Sequence, residues 1–89
     1  MSAFTRPDTA LVVRQRLAEN AEDLDALFVL AAIEARDGNV SGGLTLIDHV
    51  LRVDPKYPGA WRFKATLHRM QGEGEAERSA WERAEDSEP

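Results

Sequence analysis

Apolar positions along the chain recur every three or four residues, and no stretch sustains the every-second-residue alternation of a strand. Ala10, Val13, Leu17 and Ala21 fall on one face of a first helix. Leu24, Leu27, Leu30, Ala31, Ile33 and Ala35 mark a second, and Leu44, Ile47, Val50 and Leu51 a third. Trp61, Ala65 and Leu67 carry a fourth helix. Ala76, Ala80, Trp81 and Ala84 carry a fifth, whose outer positions are Glu and Arg. The intervening residues supply starts and stops. Thr5, with Pro7 in the first turn and Asp8 three positions on, opens the first helix. Asp23 and Ser41 are the expected N-caps of the second and third. Gly38 and Gly72 suit left-handed C-terminal positions, and the prolines of "DPKYPG" separate the third helix from the fourth. The pattern predicts an all-α chain of five helices with a frayed "EDSEP" tail.

Shifted by 34 positions, the sequence lies on itself. Leu17 meets Leu51, Leu27 meets Trp61, Ala31 meets Ala65 and Gly38 meets Gly72. Ile47 then meets Trp81, Val50 meets Ala84 and Pro55 meets Pro89. A helix–turn–helix unit is thus used about two and a half times. In size, spacing and turn residues the unit resembles the tetratricopeptide repeat (TPR) family, over about Asp8 to Pro89. Leu27, Leu30, Ala31, Gly43, Ile47, Val50 and Pro55 stand at its signature positions in the first full unit. Trp61, Ala65, Trp81, Ala84 and Pro89 do so in the second. Lys64, Glu77, Glu34 and His68 depart from the family pattern, and three of these four lie in the second unit. The resemblance implies a single domain over 1–89, built as a short right-handed stack of antiparallel helix pairs. A half repeat at about 5–21 precedes full repeats at 24–57 and 58–89.

The glycine-rich stretch "DGNVSGGL" invites comparison with a phosphate-binding loop. Such a loop needs a preceding strand and a lysine followed by Ser or Thr. Here Leu44-Thr45 follows, with neither strand nor lysine. Gly38 is instead expected in the turn of the unit. The family resemblance places Gly43 where two helix backbones approach closely, and Gly42 is expected to loosen the first turn of the third helix.

The resemblance also implies a concave groove lined by the first helix of each pair. Asp25, Phe28, Ala32, Ala35 and Arg36 take those positions in the first unit, and Gly59, Arg62, Thr66, Arg69 and Met70 in the second. Small residues leave space, Phe28 and Met70 offer apolar contact, and the arginines suit carboxylates. The implied partner is a protein or peptide with apolar and acidic groups. The family's clamp for a terminal carboxylate is absent, because Phe28 and Ala32 occupy its first two positions. At the other side of the stack, Asp8, Arg14 and Arg16 keep the first helix polar, so it reads as a finished edge. Leu11 and Val12 break that polarity. They are expected either to lie under Ala3-Phe4 or to form a self-association patch, which would make a homodimer.

Bulk properties narrow the alternatives. Eighty-nine residues suit one domain. Without cysteine there are no disulfides or thiolate metal sites. The opening apolar run, Ala10 to Val13, is too short for a signal peptide or a membrane span, which makes a cytoplasmic protein the expectation. The net charge is −5. Arg52, Lys56, Arg62, Lys64 and Arg69 form a basic strip, but only Arg62 and Arg69 share a face, and the acidic fifth helix lies near. Binding to nucleic acid or to a membrane is therefore not expected. His49 and His68 lie on separate helices with no ligand spacing, so no metal or cofactor is expected. The acidic pairs Asp23/Asp25 and Glu73/Glu75 suit helix starts better than catalysis, which makes a non-enzymatic role the expectation. Trp61 and Trp81 are expected in the core.

Overall fold

The computed structural model describes residues 6–87, with side chains from residue 9 onward. Thr5, the Ala3-Phe4 pair and Pro89 lie outside the described residues. Among those residues there are five helices and no strand: α1 (Arg6–Glu19), α2 (Leu24–Arg36), α3 (Val40–Val53), α4 (Ala60–Met70) and α5 (Gly74–Ser87). None of these helices is long and apolar enough to cross a membrane.

Local chemistry sets most of the boundaries. Asp23 caps α2 by accepting the Ala26 N–H at 3.1 Å, and the same carboxylate takes the Arg16 guanidinium at 2.8–3.0 Å. The Ala26 N–H, and with it Arg16, hold the Asp23 carboxyl below its ordinary value against some desolvation. Gly38 and Gly72 adopt φ of +96° and +74°, so both three-residue links turn through a left-handed glycine as expected. The cap of α3 differs from the expectation. Asn39, and not Ser41, accepts the Gly42 N–H, at 3.0 Å, and the helix begins before Ser41 is reached. The Asn39 amide fills the space that a Cβ on Gly42 would need. Gly42 therefore makes room for the cap. Helix α1 ends at Glu19, which leaves Ala21 exposed in the link and off the apolar face assigned to it.

The core is centred on α3. Ile47, Val50 and Leu67 are its largest fully enclosed side chains. Gly43, near the start of α3, lies against Ala31 and Ala35, whereas Leu27 at the start of α2 clusters with Val50 and Leu51. Helices α2 and α3 are therefore antiparallel. A Cβ on Gly43 would stand 3.0 Å from the Ala31 carbonyl oxygen and 3.3 Å from Leu67 Cδ1, so α2, α3 and α4 converge at this one position. On the α1 side, Val13 and Leu17 close the core against Ala26, Leu30 and Leu46. Helix α5 buries only Ala80 and Ala84. Trp81 was expected in the core, yet it is 39% exposed, with its indole N–H directed at Glu77. Its counterpart Ile47 is enclosed because α4 follows α3, and no described element covers the outer side of α5 in the same way.

Candidate functional site

Helix periodicity places Asp25, Phe28, Ala32 and Arg36 along one side of α2, and Arg62, Thr66, Arg69 and Met70 along one side of α4. Aromatic contacts join the two sides. The Phe28 ring lies 5.3 Å from that of Phe63 on α4 and 5.5 Å from that of Tyr57 in the α3–α4 link, tilted by 33° in both cases. Such tilted pairs stabilise by more than the area they bury accounts for. Beside them is a pocket of about 350 Å³ lined by Asp25, Phe28, Val29, Tyr57 and Pro58.

The Tyr57 hydroxyl donates to the Asp25 carboxylate. That hydrogen bond first, then burial and the negative charges of Asp25, Asp23 and Asp54, push the Tyr57 pKa up to about 12. Asp25 is thus engaged in holding the ring cluster. Further along, Arg36 pairs with its neighbour Asp37 at 3.2 Å, both side chains being half exposed or more. A pair of that kind is weak and exchangeable. Arg62 and Arg69 are exposed, and so is Met70, at 56%. The Thr66 hydroxyl donates back to the Arg62 carbonyl at 3.1 Å, which fixes its rotamer.

Two expected groove residues sit elsewhere. Ala35 is buried, facing Gly43 on α3, because its step along α2 turns it from the Phe28 side toward the core. Gly59 is the N-cap of α4, with φ +80°, so it serves the turn into that helix. Conversely, Tyr57, Phe63 and Val29 belong to the site and escaped the sequence reading. Phe63 lies three and seven positions before Thr66 and Met70, which is the helical signal that could have found it.

The histidines are engaged locally. His49 Nε2 is 3.0 Å from Glu22, and His68 Nδ1 is 2.7 Å from Glu73. Among the described residues no three His, Cys, Asp or Glu side chains gather as they would around a metal ion. Fold and site together describe an all-helical chain with an aromatic junction between two helices. Comparison with protein-family models, with curated proteins and with solved structures finds no match in any of the three.

Proposed function

We propose that this chain is a non-enzymatic protein–protein interaction module, an adaptor or assembly factor built as a short right-handed TPR-like stack. It binds a peptide or helical segment across α2 and α4. The observation that carries this reading is the half-buried Phe28–Tyr57–Phe63 junction with its adjoining pocket. The pocket suits an apolar anchor of the partner, and Arg36, Arg62 and Arg69 suit acidic groups farther along it. The 34-residue recurrence supports the same reading, because stacked helix pairs leave one helix of each on a common face.

A random peptide library displayed against the protein tests this reading. Enriched sequences should share an aromatic or large aliphatic residue with Asp or Glu nearby. The Arg62→Glu, Arg69→Glu double variant should keep its helical circular dichroism and lose those sequences. Retention of the same sequences by the double variant contradicts the groove reading.

A second reading is favoured by Leu11 and Val12, adjacent on α1 and 57% and 54% exposed. They fit a homo-oligomerisation unit with no separate ligand. Light scattering after size exclusion decides it: a dimer that Leu11→Glu dissociates supports this reading, and a strict monomer at high concentration removes it.

A further inference from the structure

A second pocket, of about 370 Å³, opens on a different side of α4. Trp61, Lys64 and His68 line it from α4, and Ala76, Ser79, Ala80 and Arg83 from α5. On α4 the spacing 61, 64, 68 describes one side, and the groove residues 62, 66, 69 and 70 fall on the opposite one. The repeat explains why the space exists. One period earlier the corresponding residues include Leu30 and Leu46, which pack with Val13 and Leu17 in the core. Their counterparts are Lys64, whose ammonium is paired with Asp48 at 2.8 Å, and Ala80, which is too short to fill the gap.

The charges are unequal in their commitments. Lys64 is neutralised by Asp48, and His68 is held by Glu73. Arg83 makes no ion pair with any described residue. Its guanidinium lies 5.1 Å from the Trp61 ring centre, and Lys64 Nζ lies 5.2 Å from the same centre. A guanidinium in cation–π contact with an indole and outside any ion pair keeps N–H donors available. Ser79 adds a hydroxyl at the rim.

We propose that this α4–α5 pocket binds a carboxylate side chain, Asp or Glu, of a partner polypeptide. The Arg83 fork receives the carboxylate, Ser79 donates to it, and Trp61 backs the aliphatic stem. Among the described residues lining the pocket, Arg83 is the one positive charge outside any ion pair, and it matches one carboxylate. A phosphate dianion would bring a second negative charge that no other unpaired cation among the described residues lining the pocket offsets, because Lys64 and His68 are already held by Asp48 and Glu73. This site is independent of the α2–α4 groove.

The test uses the full chain carrying Trp81→Phe, so that Trp61 is the only indole. A blocked triglutamate peptide is titrated while Trp61 fluorescence is followed. A saturable change is expected. Arg83→Gln should weaken it by at least about tenfold, which corresponds to roughly 1.4 kcal/mol. Ser79→Asp, an exposed position, should abolish it with circular dichroism unchanged. The Arg62→Glu, Arg69→Glu variant should titrate like its parent, which separates this pocket from the groove. The proposal is overturned by the absence of a saturable change, or by equal affinity in Arg83→Gln. It is also overturned by loss of binding in the Arg62, Arg69 variant alone, or by inorganic phosphate displacing the peptide better than N-acetylglutamate does.

Discussion

Tyr57 is the chain's one tyrosine, so its ionisation can be followed without interference. With Asp25 accepting from its hydroxyl, the phenolate should appear at about pH 12 and not near its ordinary 10.0. The sign follows from a raised pKa. The stabilisation is whole below the unfolded value near 10 and is lost as the pH rises through about 12. Ultraviolet titration of the phenolate checks this, and Asp25→Asn should bring the midpoint back toward 10. A wild-type midpoint near 10 contradicts the hydrogen bond. Little of this was legible in the sequence. Asp25 and Tyr57 are 32 positions apart in different elements, and no local periodicity links them. Caps were easier where one candidate stood alone, as with Asp23. For α3 the sequence pointed to Ser41, whereas the backbone after Gly38 puts Asn39 at the position from which a side chain reaches the Gly42 N–H.

Among the helices, α2 and α3 are the best specified, because their apolar residues repeat over whole turns and meet at a small residue. Gly43 is that meeting point, as the resemblance to the repeat family implied. Gly43→Leu should destabilise the protein by more than about 2 kcal/mol, through overpacking against the Ala31 carbonyl and Leu67. Chemical denaturation measures this, and a neutral result would place Gly43 away from any close contact. Helix α5 shows where periodicity misleads. Trp81 recurs in phase with Ile47, yet phase fixes only which way a side chain points, and burial requires something on that side. The pocket between α4 and α5 was illegible for a related reason. It arises from a difference in size between Leu46 and Ala80, whereas matching repeats draws attention to what stays alike.

For the molecule as a whole, the all-α architecture and the five-helix order could be read directly, since no competing strand pattern exists. The groove was half legible. The repeat resemblance singled out Phe28, Arg62, Thr66 and Met70, which share one side of α2 and one side of α4, but it also singled out Ala35, which is buried, and the aromatic junction appears only once the two helices are brought together. What the proposed module does rests on that junction facing a partner. Backbone amide chemical shifts, recorded while a library-selected peptide is titrated in, test this most directly. The account predicts that the largest changes centre on Phe28, Ala32, Tyr57, Phe63, Thr66 and Met70. Changes confined to α1, or to the outer side of α5, would contradict it.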